Sequence, residues 1–112
     1  MKKIEAIVRP ESLNGIRSAL EELGYPGMTI MEVKGHGKQK GVEHIWRGRA
    51  YRVEFLPKLK MEIFALDEDA DKIANAIIEE AQTGNIGDGK IFISTIDEAI
   101  KIRTGEKGES AI

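Results

Sequence analysis

The chain has 112 residues, which at roughly 100–200 residues per domain allows a single domain. Hydrophobic residues make up 41% of it and charged residues 32%, as is typical of a folded globular protein rather than a disordered one. The absence of cysteine excludes a disulfide framework, a cysteine zinc site and a thiol nucleophile, and is typical of a reduced compartment. No apolar run is long enough to span a membrane, and no signal peptide follows Lys2 and Lys3. We therefore expect one cytoplasmic domain over residues 1–112.

Charge is distributed unevenly along the chain. Residues 34–58 carry seven lysines and arginines against two glutamates, whereas the remaining residues carry 10 basic and 17 acidic groups. A basic segment on an acidic body is typical of a surface that meets an anion or a partner. General nucleic-acid binding is disfavoured, because the whole chain has a net charge of −2 and only 5% aromatic residues.

The first half of the chain predicts two strands around a helix. Polar and apolar residues alternate over Lys3–Arg9, which predicts a strand that Pro10 ends. Apolar residues then recur at helical spacing and stop at Gly24, and a second strand is predicted over Met28–Gly35. The apolar positions of this helix are Leu13, Ile16, Leu20 and Leu23.

A long excursion follows the second strand. Gly35–Ala50 contains four glycines among charged residues and has no periodicity that could bury a face. We interpret it as a flexible loop of about residues 36–54, with strand character returning within Tyr51–Leu66. A loop of this length inside a compact domain is usually functional when it is real.

The second half repeats the pattern of the first. Its apolar spacing predicts a helix over Ala70–Ala81, and a glycine-rich turn, Thr83–Gly89, leads into a strand over Lys90–Ile96. After it we expect a short helical turn at Asp97–Ile100, a short strand at Lys101–Thr104 and a mobile polar tail over about residues 105–112.

This order of elements, β-α-β, excursion, β-α-β, predicts an α+β fold of the ferredoxin-like, split βαβ type. Both helices have one apolar stripe, so we expect them on the same face of an antiparallel four-stranded sheet. The other face still carries apolar side chains, which an oligomer would bury. The fold class alone does not define a chemistry.

The strongest local motif is the glycine-rich turn, with Gly87, Asp88, Gly89 and Lys90 before an apolar strand. Glycines let backbone N–H groups approach an anion, and lysine adds a positive charge. The motif is not a Walker A loop, because its lysine enters a strand rather than a helix. A plain turn between helix and strand is the alternative interpretation of such a short motif.

Several segments together resemble one known family. TGNIGDGKIFI, MKKIEAIVRPESL, GMTIMEVKGHGKQKG, FLPKLKMEI and IRTGE are similar, in order and without gaps, to segments of the nitrogen-regulatory PII signal-transduction proteins. The resemblance covers essentially the full chain. It implies a cytoplasmic homotrimer with nucleotide sites between neighbouring subunits, where ATP and ADP compete.

The resemblance also implies the role of individual residues at the nucleotide site. Gly87, Asp88, Gly89 and Lys90 would hold phosphates from one subunit, and Lys101 and Arg103 would contribute from its neighbour. The base of the loop would line the nucleotide through Thr29, Gly35, Gly37 and Lys38, while Glu62 and Phe64 would lie near the adenine and ribose. Lys38 and Lys101 stand where arginine is common in the family, and lysine lacks the bidentate guanidinium fork.

In the family, 2-oxoglutarate chelates the magnesium ion of bound Mg-ATP. Gln39 matches the residue that also ligates this ion, and Lys58 matches the residue that pairs with the far carboxylate of the oxoacid. Backbone groups at Gly37, Lys40, Gly41 and Gly87 would complete the site. Oxygen ligands of this kind suit the octahedral coordination of Mg²⁺.

The loop departs from the pattern of the family. Arg47 matches a loop-tip arginine that inserts into the pore of ammonium transporters, and Trp46 beside it is a suitable aromatic anchor. Tyr51 matches a nucleotidylation site, but its surroundings, Trp46-Arg47-Gly48-Arg49-Ala50-Tyr51, differ from the usual Tyr-Arg-Gly-Ala-Glu-Tyr. An unmodified contact residue is the alternative for Tyr51. The partner implied is an ammonium transporter or a nitrogen-assimilation enzyme, with membrane contact only through a transporter.

Two other classes of function are weighed against this sensor. Ferredoxin-like folds also host phosphate-handling enzymes such as ATPases, which need a nucleophile or a base. Here Asp88 is the only plausible base. Together with the resemblance, this favours a regulator rather than an enzyme. A nucleic-acid binder would show steep salt dependence, and the acidic body argues against it.

Overall fold

The computed structural model describes residues 1–36, 42–46, 49–53 and 55–112. Its two α-helices are α1 (Leu13–Glu22) and α2 (Ala70–Ala81). Its strands are β1 (Lys2–Val8), β2 (Thr29–Gly35), β3 (Val42–Trp46), β4 (Arg49–Val53), β5 (Leu56–Ala65) and β6 (Gly89–Thr95).

Four of these strands form one antiparallel sheet in the order β2-β5-β1-β6. In the central pair, β1 and β5, Ile4 lies opposite Ile63. On the other side of β1, Val8 lies opposite Gly89, the first residue of β6. Two βαβ units therefore interleave, which confirms the predicted α+β, ferredoxin-like class.

The core lies between this sheet and the two helices. Alternate residues of the central strands face it and are buried, because successive side chains of a strand point to opposite faces. Burying one such aliphatic side chain contributes about 1.5–3 kcal/mol. The largest buried side chains are Ile4, Val8, Met61 and Ile63 of the sheet with Ile16, Leu20, Ile73 and Ile77 of the helices.

The open face of the sheet carries a closed ring of four charges. Lys3 Nζ lies 3.2 Å from Glu5 and 3.4 Å from Glu62, and Lys60 Nζ lies 3.5 Å from Glu5 and 3.9 Å from Glu62. The expected apolar side chains are also there, because Phe64 and Phe92 lie opposite Lys3 and Glu5 in the register. This face is therefore neutral at its centre and apolar at its border.

The strand character expected within Tyr51–Leu66 is confirmed, but it is divided between β4 and β5. Those residues belong to two strands of different sheets, because β4 pairs with β3 in a separate two-stranded sheet, with Trp46 opposite Arg49. The predicted loop thus contains a β-hairpin. Its valine, isoleucine, tryptophan and tyrosine residues have high strand propensity, and its glycines hid this signal in the sequence.

The predicted helical turn at Asp97–Ile100 and strand at Lys101–Thr104 were also wrong. The chain reverses direction there, with the Gly105 N–H donating to the Lys101 carbonyl at 2.7 Å and the Lys101 N–H to the Glu106 carbonyl at 2.8 Å. Gly105 has a φ of 75°, which glycine adopts without strain. The segment expected to be a mobile tail contains a 3₁₀-helix over Gly108–Ala111.

Candidate functional site

The glycine-rich turn joins α2 to β6 and is shaped by its glycines. Gly84, Gly87 and Gly89 have φ values of 86°, 103° and 113°, which side-chain-bearing residues rarely adopt. A Cβ atom at Gly89 would in addition overlap the backbone carbonyl oxygen of Ile7 on β1. Glycine is therefore required at this position so that the turn can lie against the sheet.

Asp88 holds the turn together from inside. Its carboxylate accepts hydrogen bonds from the Thr83 N–H at 2.8 Å, the Gly84 N–H at 2.9 Å, the Thr83 hydroxyl and Arg9 Nη1 at 2.6 Å. The Thr83 hydroxyl and amide, with the Gly84 amide and Arg9, lower the pKa of Asp88 to about 2. The side chain is thus an ionised acceptor occupied within the turn, which makes it a weak base near neutral pH.

Lys58 connects the turn to the central strand β5. Its ammonium group donates to the Gly87 carbonyl at 2.9 Å, so the structure brings together two residues predicted for the 2-oxoglutarate site. Burial lowers the pKa of Lys58, and the charge of Arg9 lowers it further. The side chain passes Gly35 so closely that a Cβ atom there would lie 3.1 Å from Lys58 Cγ.

Lys58 and the second half of the glycine turn line a basic cavity of about 460 Å³ at one end of the sheet. Lys58 and Lys90 supply its positive charge, and Ile7 and Phe92 form apolar parts of its wall. A cavity with two ammonium groups and a glycine turn suits phosphate or carboxylate groups. The predicted site residues that line it are Gly35, Lys58, Gly87, Asp88, Gly89 and Lys90.

A second cavity of about 700 Å³ lies at the other end of the sheet. Thr29, Glu62 and Phe64 line it, together with the turn after α1 and the segment after β6. Thr29 therefore shares a cavity with Glu62 and Phe64. It does not lie beside Gly35 at the base of the loop, as expected, because Thr29 begins β2 and Gly35 ends it. Glu62 and Glu98 are the charged residues described in its lining.

Lys101 and Arg103 lie at this second end, since both follow Ile100, which lines the second cavity. Strand β6 runs from the glycine turn to this end of the sheet, and its seven residues span about 20 Å at about 3.3 Å per residue. One chain therefore does not bring Lys101 and Arg103 to Lys90.

The predicted loop residues fall largely beyond the described part of the chain. Gly37, Lys38, Gln39, Lys40, Gly41 and Arg47 lie outside the described residues, as do the side chains of Trp46 and Tyr51. The backbone of Trp46 ends β3, and that of Tyr51 lies in β4 opposite His44.

The contributions of Arg9 and Thr83 to the turn were not predicted from the sequence. Arg9 follows β1, and its Nη2 donates to the Ile86 carbonyl at 2.9 Å. Nothing local identifies this residue, because it meets the turn only through the pairing of Val8 with Gly89. For Thr83 the signal is a hydroxyl five residues before an aspartate in a glycine-rich segment.

The described residues contain no group of three or more candidate metal ligands among His, Cys, Asp and Glu. Within the same residues, no helix is both long and apolar enough to cross a lipid bilayer.

Comparison with known proteins defines the class to which this fold and turn belong. A model of the family described as "Nitrogen regulatory protein P-II" matches residues 1–106. Over all 112 residues the chain is 54% identical to nitrogen regulatory protein P-II 2 of Methanothermobacter thermautotrophicus, covering 97% of that protein. It is 54% identical to nitrogen regulatory protein P-II of Pasteurella multocida and 52% identical to P-II 1 of Escherichia coli, each covered in full.

This α+β domain with a braced glycine turn is thus a regulatory protein of nitrogen metabolism. The chain belongs to the nitrogen regulatory protein P-II family, whose members assemble as trimers. It is a nitrogen-regulatory signal transducer.

Proposed function

We propose that this protein is a homotrimeric, cytoplasmic sensor that binds ATP and ADP competitively and binds 2-oxoglutarate together with Mg-ATP. Through its long loop it controls an ammonium transporter or a nitrogen-assimilation enzyme. The observation that carries this proposal is the basic cavity in which the glycine turn, Lys58 and Lys90 converge, in a chain similar to P-II proteins over its whole length.

The two cavities support a nucleotide site shared between subunits. The basic cavity at the glycine turn suits phosphates, whereas the second cavity offers Phe64 for stacking and Thr29 and Glu62 for hydrogen bonds. They lie at opposite ends of the sheet of one chain, so a neighbouring subunit is needed to join them. Lys101 and Arg103 would then reach the phosphates bound by Lys90 of that neighbour.

Magnesium would arrive with the nucleotide, and Gln39 would be its ligand from the protein. Lys58 fits the proposed 2-oxoglutarate site, because its ammonium group already lies 2.9 Å from the Gly87 carbonyl, which belongs to the same site. Without the γ-phosphate, ADP would hold the ion less well, and 2-oxoglutarate binding would weaken. An effector can shift the equilibrium between two states of the loop only by as much as its affinity differs between those states.

The loop supplies the proposed contact with the partner. Its net positive charge suits an acidic or anionic mouth on that partner, and Trp46 and Arg47 are the residues that we expect to anchor it. Tyr51 is either a modification site or an unmodified contact residue.

A phosphate-handling enzyme is the alternative, and the geometry gives it less support. Its candidate base, Asp88, has a pKa of about 2 and is occupied by donors of its own turn. A general base works best with a pKa near the working pH. Steady multiple turnover of ATP by the purified protein would favour the enzyme over the sensor.

The first experiment is calorimetric titration of the whole protein with ATP, ADP and 2-oxoglutarate, singly and in pairs, with and without Mg²⁺. We expect both nucleotides to bind at the same site, and 2-oxoglutarate to bind only with Mg-ATP. Nucleotide binding without any 2-oxoglutarate binding would reduce the proposal to an ATP/ADP sensor. Absence of nucleotide binding would overturn it.

Two variants locate the effector site. Gln39→Ala or Lys58→Ala should abolish 2-oxoglutarate binding and leave ATP binding largely intact, because these side chains are assigned to the ion and the oxoacid. Lys72→Ala, which removes an exposed lysine of α2, is the control and should change neither. Equal loss of both ligands in either variant would mean that the effector site is misplaced.

A further inference from the structure

The guanidinium group of Arg9, the residue that follows β1, makes three contacts with the glycine turn 74–79 residues away in sequence. Its Nη1 donates to Asp88 at 2.6 Å and to the Thr83 hydroxyl at 3.2 Å. Its Nη2 donates to the Ile86 carbonyl at 2.9 Å. One rigid fork thus holds the beginning, the middle and the end of the turn.

The contact with Ile86 fixes the orientation of a peptide group. The carbonyl and the N–H of a trans peptide point in opposite directions, so the N–H of Gly87 is directed away from Arg9. Lys58 holds the next carbonyl, that of Gly87, in the same way. Two cations, Arg9 just after β1 and Lys58 on the neighbouring strand β5, therefore set two successive peptide planes of the turn.

The contact with Asp88 also balances charge. This carboxylate lines the basic cavity beside Lys58 and Lys90, where an uncompensated negative charge would repel phosphate. The short contact with Arg9 neutralises it, and charge-assisted hydrogen bonds of this kind are the strong ones. The ammonium groups of Lys58 and Lys90 then determine the sign of the cavity.

We propose that Arg9 is a positioning residue for phosphate binding, which sets the shape of the glycine turn and neutralises Asp88 without being required to touch the phosphate. This role rests on the nucleotide site of the proposed function. Arg9 thus contributes to the affinity of the turn for the phosphate chain of ATP, and it does so through its contacts with Asp88 and Ile86.

Because Arg9 and Asp88 act as one unit, their substitutions should not be additive. In calorimetry with ATP, Arg9→Met should weaken binding by about tenfold or more, since it removes charge-assisted hydrogen bonds and exposes a carboxylate. Arg9→Lys should give an intermediate affinity, because it keeps the charge without the fork. The double variant Arg9→Met/Asp88→Asn should bind no worse than the weaker single variant. Arg17→Met, which removes an exposed arginine of α1, is the matched control and should bind as the wild type does.

A measurement on the ligand-free protein tests the effect on the turn itself. In ¹⁵N–¹H spectra of Arg9→Met and Arg9→Lys, the amide signals of residues 83–89 should shift, while those around Thr29 should not. Three results would overturn the role of Arg9 without affecting the proposed function: wild-type affinity in Arg9→Met, losses that add in the double variant, or unshifted turn signals. If the wild-type protein failed to bind ATP, the proposed function itself would fall, and this role with it.

Discussion

Gly89 shows how a single residue connects the candidate site to the fold. It begins β6 opposite Val8, has a φ of 113°, and leaves no space for a side chain beside the Ile7 carbonyl. The same absence of a Cβ that lets β6 pair with β1 places the glycine turn at the end of β1, next to Arg9.

Gly89→Ala is therefore expected to lower the free energy of unfolding by about 2–4 kcal/mol, from backbone strain and the clash with β1. Urea unfolding of both proteins measures this difference. Gly27→Ala is the matched control, because a Cβ at Gly27 meets nothing within 4 Å, and it should stay within about 0.5 kcal/mol of the wild type. A stable Gly89→Ala protein would contradict the observed strand pairing.

Asp88 gives the turn a dependence on pH. Its pKa is about 2 in the folded protein against an ordinary 3.8, so the folded state favours the ionised form. The stability that this provides is present above pH 3.8 and is lost as the pH falls toward 2.

Asp88→Asn should therefore be less stable than the wild type near pH 7, and the difference should shrink as the pH is lowered from 4 to 2. Urea unfolding as a function of pH tests this. Asp97→Asn, which changes an exposed aspartate after β6, is the matched control. A constant difference for Asp88→Asn would mean that the turn does not hold the ionised carboxylate.

At the scale of elements, helix α1 approaches α2 at a glycine. Gly15 lies within α1, and a Cβ there would meet the carboxylate end of the Glu80 side chain on α2. Glu80 is exposed, so its flexible side chain can move away at little cost.

Gly15→Ala should consequently raise the free energy of unfolding by about 0.5–1 kcal/mol, the usual gain for alanine over glycine in a helix. Gly24→Ala should instead lower it, because Gly24 has a φ of 86° after the helix. Chemical unfolding of both variants measures the two signs. A destabilised Gly15→Ala protein would show that the helices cannot adjust at this contact.

Elements whose apolar residues recur with a clear helical or strand period were predicted correctly from the sequence, and elements without such a period were not. The helix α2 was predicted over its observed range, because its apolar stripe faces one core. The hairpin β3–β4 was missed, since the glycines around its strands interrupt the strand signal in the sequence. Lys101–Thr104 was predicted as a strand, because the reversal of the chain there is revealed by its backbone hydrogen bonds.

At the scale of the whole molecule, the distribution of charge favours association through the open face of the sheet. The ring of Lys3, Glu5, Lys60 and Glu62 has no net charge, so it can enter an interface as a unit with fewer losses than isolated charges. Beyond this face, the side chain of Ile102 is 100% exposed in the single chain. A neighbouring subunit packed against the second cavity would bury this apolar side chain, which lies between Lys101 and Arg103.

A subunit-mixing experiment tests whether the nucleotide site joins two chains. Lys90→Ala and Arg103→Ala should each weaken ATP binding at least about tenfold as pure trimers. After unfolding and refolding of an equal mixture, each mixed trimer contains one junction with both native residues. About a quarter of all sites should then bind ATP with native affinity, as follows from cyclic symmetry with random mixing. Refolding each variant alone is the control, and no recovery in the mixture would place the site within one chain.

The sequence by itself determined the helices, most of the strands, the glycine turn and the family, because these depend on local periodicity and on motifs that are contiguous in the chain. Only the tertiary structure decided that Thr29 lies apart from Gly35, that Arg9 holds the turn through Asp88, and that Lys101 lies beyond the end of β6 opposite Lys90. These relations are set by strand order and register, which join residues far apart in sequence. The physical reason is that side chains alternate locally along a strand, whereas their neighbours across the sheet are chosen by the packing of the whole chain.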